Sequence, residues 1–302
     1  MSSDRKRLGT LWADSWADDA HLSIRCIAPP VDLHAIARQQ RVKRVKLRLM
    51  MQLGALVPVP GGFEIFVRHQ EPRDLDVGAP EPPKLLNTRQ RFTLAHEIAH
   101  TLFYKGFEDV PIPNTKLKKR GTRRQFGLEE VCNRVATRLL VPKRLLLGEI
   151  RRSLQAPERI DAHFVRAMAA KFRVSADVML GRLRVVAWDN AFARCIVLVG
   201  MRDSRDRVRD SYMGLSLLSA FPPLERGAPL LSWFPELPPS ILEASGNKEW
   251  QIKRRDREFL LQKFPLGKGG GFLMQIDDLG HKAPGSRRQG PPEGPLLWTG
   301  LE

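Results

Sequence analysis

The apolar positions of this chain change their spacing several times, and each change marks an element. Leu8, Leu11, Trp12 and Trp16 recur at helical spacing and predict a helical lead-in over residues 1–25. Pro29-Pro30 ends it. Asp32 then stands as an N-cap for a new helix through Ile36-Ala37. Val42, Val45, Leu47 and Leu49, then Leu53, Ala55 and Val57, fit two strands over residues 41–58, although Met50 and Met51 blur the alternation. Pro60-Gly61-Gly62 makes a turn, and Phe63-Glu64-Ile65-Phe66-Val67 alternates as a half-buried strand does. These stretches predict a small antiparallel sheet beside helices.

Residues 70–84 are rich in proline and acidic residues and read as a loop. Helical spacing returns from Asn87 to Tyr104. It fails over residues 105–127, where Lys116, Lys118, Lys119, Arg120, Arg123 and Arg124 form a basic run. That run reads as a solvated loop, with a cleft lip for an acidic substrate or nucleic acid as the alternative. Helices follow from Gly127 to Leu140, closed by Val141-Pro142, and from Pro142 to about Leu154. Residues 160–183 fit two helices around a tight turn at Arg173-Val174, with Ser175 capping the second, which is a helix-turn-helix pattern.

After Val185 the texture changes. Cys195–Val199 reads as a buried strand, and Leu215–Leu218, Phe259–Leu261 and Phe272–Ile276 are further apolar segments. Pro222, Pro223, Pro229, Pro235, Pro238 and Pro239 interrupt the middle. The glycines from Gly267 to Gly271 lack the lysine-serine context of a phosphate loop and read as a hairpin turn. From Gly280 onward Gly, Pro and Arg predict a disordered tail.

A length of 302 residues suggests about two domains, and a hydrophobic content of 42% is ordinary for a globular chain. No apolar run is long enough to span a bilayer, and none follows the first basic residues as a signal peptide would, so a cytoplasmic protein is expected. Cys26, Cys132 and Cys195 are widely spaced and form neither a disulfide framework nor a CxxC pair. The net charge of +17 calls for an acidic partner, nucleic acid being the common one, or simply keeps the protein soluble.

The chemistry concentrates in Arg91-Phe92-Thr93-Leu94-Ala95-His96-Glu97-Ile98-Ala99-His100-Thr101-Leu102-Phe103. Residues four apart share a helix face, so His96 and His100 project together and can share one metal ion. Glu97 follows the first of them, where a general base acting on water would stand. Burying two histidines and a glutamate in an apolar helix is costly without partners. A hydrolytic zinc site takes three protein ligands, so an Asp, Glu or His is needed from a later element.

The longer three-histidine extension of this motif is absent. Glu129 and Glu130 are the candidates. Glu129 shares a small-residue stripe with Cys132, Asn133, Ala136 and Leu140 that can pack against the motif helix, whereas Glu130 shares its face with Arg134, Thr137 and Arg138. Glu129 is therefore preferred, with Glu130 as the alternative. Cys132 could ligate as a thiolate, though packing is the simpler role in such a stripe. Tyr104 and His163 are candidates for an oxyanion donor, and nothing in the sequence selects between them.

Taken together, Arg91–Phe103 and Glu129-x-x-Cys132-Asn133-x-x-Ala136-x-x-Leu139-Leu140-Val141-Pro142 resemble the ImmA/IrrE family of zinc metallopeptidase-like proteins. The stretch Ala169-Ala170-Lys171-Phe172-x-Val174-Ser175 through Arg182-Leu183 is similar to that family's helical continuation. Val141 departs from the methionine common before the proline. The resemblance implies that His96, His100 and Glu129 hold zinc and that Glu97 is catalytic. Mn2+ or Fe2+ suit the same donors.

It also implies an α+β fold: a zincin-like metallopeptidase domain with a small antiparallel sheet over residues 1–158, and a helix-turn-helix continuation over 159–185. A C-terminal mixed α/β, GAF-like sensor domain over 186–278 and a disordered tail over 279–302 would follow. In layout the chain is similar to the radiation-response branch. The expected activity is a cytoplasmic metalloendopeptidase that cleaves a DNA-binding transcriptional repressor, its partner, to induce a stress response. Two other classes compete. One is a DNA-binding regulator using the helix-turn-helix; against it, Ala176, Val178, Met179 and Leu180 leave Arg182 and Arg184 as the readiest DNA contacts. The other is a non-proteolytic antirepressor with a structural metal.

Overall fold

The computed structural model describes residues 15–83, 85–113, 125–153, 160–186, 194–202, 205–213, 246–254, 257–266 and 272–278. Of the lead-in, residues 15–23 form helix α1. α2 (Leu33–Gln39) begins at Asp32, whose side chain accepts hydrogen bonds from the His34 and Ala35 amides. That satisfies two of the four amides a helix start leaves open.

Four strands follow: β1 (Val42–Arg48), β2 (Gly54–Val59), β3 (Gly62–Arg68) and β4 (Arg73–Asp76). They lie in the order β2-β3-β1-β4. The sheet is small, as expected, but it is mixed rather than antiparallel, because β1 and β3 run parallel. The chain leaves β1, crosses to the outer position for β2, and turns at Gly61 (φ 71°). β3 then returns into the gap beside β1, so these two strands share a direction. β4 lies within the stretch expected to be a loop and pairs antiparallel with β1. With four residues, of which Leu75 alone is buried, its alternation is too short to be read from sequence.

The inner face of the sheet carries Val42, Val45, Leu47, Phe63, Ile65 and Val67, all buried. Helix α3 (Thr88–His100) lies against β2 and β3. It ends in a 3-10 turn over Thr101–Phe103, short of the expected end at Tyr104. The two-residue strands β5 (Tyr104–Lys105) and β6 (Ile112–Pro113) pair beyond it. Residues 114–124, with the whole basic run, lie outside the described residues.

Helices α4 (Gln125–Leu140) and α5 (Lys143–Ser153) follow the expected spans closely, with the break at Val141-Pro142. α6 (Ala162–Phe172) and α7 (Ala176–Val186) form the helix-turn-helix. Arg173 closes α6 in the left-handed conformation, φ 54°, and the Val178 amide donates to Ser175 Oγ at 3.3 Å, the expected cap.

The turn of this motif is packed inward. Arg173 donates to the Leu86 carbonyl at 3.0 Å and pairs with Glu81 at 3.4 Å. Glu81 also pairs with Arg91, and Arg91 donates to the Val31 carbonyl at 2.9 Å. Two guanidinium groups thus share one carboxylate, itself only 3% exposed. This pins α2, α3 and the helix-turn-helix to one another.

Beyond residue 186, β7 (Arg194–Arg202), β8 (Arg205–Met213), β9 (Lys248–Arg254), β10 (Arg257–Pro265) and β11 (Phe272–Asp278) make an antiparallel sheet, ordered β8-β7-β11-β10-β9. The expected strand at 195–199 and the apolar segments at 259–261 and 272–276 fall within it. Leu215–Leu218, the central prolines, Gly267–Gly271 and the tail lie outside the described residues. β10 and β11 pair up to Pro265 and Phe272 and so flank the glycine run. The sheet joins the helices directly. Gln275 Oε1 accepts the Ala162 amide at 3.1 Å, and Phe264 and Leu273 belong to the same apolar core as α6.

Candidate metal centre

α3 starts at a capping box. Asn87 Oδ1 accepts the Gln90 amide at 2.9 Å, and Gln90 Oε1 accepts the Asn87 amide at 3.0 Å. Gln90 Nε2 also donates to the Arg68 carbonyl at 2.9 Å, which ties the helix start to the end of β3. Leu94, Ala95, Ile98 and Ala99 are fully buried against the sheet and neighbouring helices. This orientation turns His96 and His100 toward α4.

His96 Nε2 and His100 Nε2 stand 3.0 Å apart. Glu129 Oε2 is 3.1 Å from His96 Nε2, and Oε1 is 3.5 Å from His100 Nε2. Two ring nitrogens and a carboxylate therefore converge on one point. An ion with four donors at zinc-like bond lengths needs donor separations of about 3.3 Å, which these distances approach. Without a shared cation, two imidazole lone pairs facing each other at this distance would repel unless one ring carried the proton between them. The residues present fit a metal ion. The Glu129 side chain is 54% exposed, so the triangle is open to solvent on its side.

The other ring nitrogens are also engaged. His96 Nδ1 donates to Asn133 Oδ1 at 2.9 Å, which leaves Nε2 with its lone pair toward the triangle. Cys132 Sγ lies 3.5 Å from His100 Nδ1, behind the ring. Burial first, and then Glu129 and Glu97, hold the Cys132 thiol above its ordinary range, so it stays protonated and packs. Burial, followed by the neighbouring His96, lowers the His100 pKa against the pull of Glu129, which keeps a ring lone pair available.

Glu97 is 8% exposed. Burial, and secondly the Glu129 carboxylate, push it up to about 7. It lies against Gly54 of β2, where an added Cβ would stand 2.7 Å from Glu97 Oε1 and 2.5 Å from Thr93 Cγ2. Tyr104 stands nearby, its hydroxyl pKa raised by burial and by Glu97. Its ring meets Phe63 edge to face at 5.2 Å.

His163 is elsewhere. It meets the Phe264 ring at 4.9 Å and lines a cavity of about 250 Å³ with Asp161, Glu249 and Gln262. Of the two oxyanion candidates only Tyr104 neighbours Glu97. Glu130 is exposed and pairs with Arg134 at 3.2 Å, away from the cluster. Among the described residues, His96, His100 and Glu129 are the group whose donor atoms could hold a metal ion.

Asn133 and Gly54 escaped the sequence reading as site residues. Asn133 had a signal, since it lies four positions beyond Glu129 on one stripe. Gly54 had none, because its closeness to Glu97 is set by how α3 crosses β2.

No curated protein matches the chain significantly. Residues 83–184 match the IrrE N-terminal-like domain, a peptidase family. The match covers α3, α4 and the helix-turn-helix, and so contains all three convergent donors and Glu97. Over this stretch the chain is similar to the ImmA/IrrE-family metallopeptidase-like proteins, and the match supports that reading of the site.

Proposed function

We propose that the protein is a metal-dependent endopeptidase of few substrates that cuts a DNA-binding transcriptional repressor in the cytoplasm. Its loss of that repressor would induce a DNA-damage or radiation response. The observation that carries the peptidase reading is the convergence of His96, His100 and Glu129 beside a buried Glu97. The repressor as substrate is supported by the resemblance of residues 91–142 alone. The sheet beyond residue 194 takes the sensor role in this reading, in a GAF-like domain.

His96, His100 and Glu129 would hold the ion, zinc being the first choice for two imidazoles and a carboxylate. When bound, it supplies Lewis acidity toward water and the scissile carbonyl. Glu97 does the proton work. Its carboxylate takes a proton from water as the water oxygen bonds to the carbonyl carbon. It returns that proton to the amide nitrogen as the C–N bond breaks, giving a carboxylate end and a free amine. A group held near 7 can both accept and release a proton at neutral pH. Tyr104 is the neighbouring hydroxyl that can donate to the developing oxyanion.

The test is Glu97→Gln, loaded with zinc and incubated with the repressor encoded nearest to this chain, read by mass. The wild type should release two fragments and the variant none at equal zinc content. Cleavage by the variant would sink the mechanism.

A further inference from the structure

Helix α4 does more at this site than deliver Glu129. Two adjacent residues, Cys132 and Asn133, stand behind the two motif rings, each against an Nδ1 atom. Asn133 Oδ1 holds His96 at 2.9 Å and Cys132 Sγ touches His100 at 3.5 Å. Nδ1 is the nitrogen that does not face the donor triangle, so neither group is placed to ligate. Each instead fixes the rotation of a ring about its own axis and decides which nitrogen presents a lone pair. Metal-bound histidines depend on such partners behind the ring, usually a carboxylate or carbonyl oxygen.

The two rings are held unequally. An amide oxygen is a full acceptor for Nδ1–H, whereas sulfur is a weak one. Cys132 compensates by packing. It is completely buried, so the sulfur cannot swing away from the ring. Asn133 sits on the exposed side of α4 and is fixed by its hydrogen bond.

We propose that Cys132 and Asn133 are positioning residues that set the affinity and geometry of the metal centre, Cys132 acting as a thiol behind His100 and not as a fourth ligand. This rests on the reading of His96, His100 and Glu129 as metal donors.

The experiment measures zinc affinity by chelator competition, together with the absorption spectrum of the cobalt(II)-substituted full chain. The wild type should bind one equivalent of zinc, and its cobalt form should lack a sulfur-to-metal charge-transfer band. Asn133→Ala should weaken zinc about 10- to 100-fold, and Asn133→Asp, which keeps an acceptor, should restore it. Cys132→Ala should weaken zinc about tenfold and shift the cobalt ligand-field bands, while Cys132→Ser restores most of the affinity. Far-UV circular dichroism of the metal-free variants checks the fold, and the two conservative variants carry the test should an alanine variant unfold.

A charge-transfer band in the wild type would make Cys132 a ligand and overturn its assignment. Wild-type affinity in both alanine variants would overturn the positioning role while leaving the metal reading intact. A wild type that takes up no zinc removes the metal reading itself, and this inference with it.

Discussion

Gly54 and Glu97 meet with no room for a methyl group between them: a Cβ on Gly54 would lie 2.7 Å from the Glu97 carboxylate and 2.5 Å from Thr93 Cγ2. The edge strand β2 therefore forms one wall of the pocket for the candidate base. Gly54→Ala should displace Glu97 while leaving the donor triangle alone. Peptidase activity should fall by up to about 100-fold, the loss that a misplacement of about 1 Å can cause. Zinc content should stay at the wild-type level, and overpacking should cost about 1–3 kcal/mol of stability. Full activity in the alanine variant would mean that this contact does not position the base.

Glu81 holds the buried Arg91 and the part-exposed Arg173, and its loss should be felt across the domain. Glu81→Gln leaves the Arg91 guanidinium, 1% exposed, without its counter-charge. Breaking a buried pair from one side costs about 3–5 kcal/mol. Urea unfolding should show the loss as a lower midpoint with an unchanged slope. A midpoint unmoved by the substitution would refute the pinning role.

Arg182 is one of the two residues, with Arg184, on which the DNA-binding reading of the second helix relied. It is buried, donates to the Val141 carbonyl at 2.8 Å, and is lowered to about 10, by burial first and then by Arg138. Arg182→Ala should therefore lower the melting temperature and leave DNA affinity unchanged at fixed salt. Gel shifts across a salt series would expose the opposite result, a lost sequence preference in a stable variant.

His21 gives the stability a dependence on pH. Its Nε2 donates to the Arg138 carbonyl at 3.2 Å, and its buried Nδ1 has no hydrogen-bond partner among the described residues. Burial is the main cause of a pKa below the ordinary 6.5; Arg144 and Arg182 add to it, while the Arg138 carbonyl and Asp18 oppose it. The unfolded chain thus binds the proton more readily than the folded one. The contribution is whole above about 6.5 and is lost as the pH falls through the lowered folded value. Melting temperatures should decline on acidification through this window, and His21→Asn should flatten that decline. An equal decline in the variant would assign the slope to other groups.

Much of this was legible in the chain because it rests on local pattern. The helix over Thr88–His100 follows from Asn87 and the apolar spacing behind it, and Glu129 follows from a stripe on one helix face. The placement of Glu129 toward the histidines and of Glu130 toward Arg134 was legible too, since Arg134 marks the solvent side. What could not be read depends on the crossing of distant segments. The parallel pairing of β1 with β3 is decided by the path of residues 49–53, and the strand at Arg73–Asp76 by a neighbour about 30 positions away in the chain. Arg173 looked like any turn residue, yet its charge is spent on Glu81, 92 positions back.

The candidate metal donors come from two helices, the imidazoles from α3 and the carboxylate from the second turn of α4. The centre is therefore a gauge of the register between those helices. A slide of α4 by one residue, a rise of about 1.5 Å, would shift Glu129 against both rings and strain their convergence. In the proposed metal-bound state, metal loading and helix register would be two readings of one equilibrium. Whatever binds the assembled register more tightly tightens metal binding by the same factor, and the metal returns that factor to its affinity.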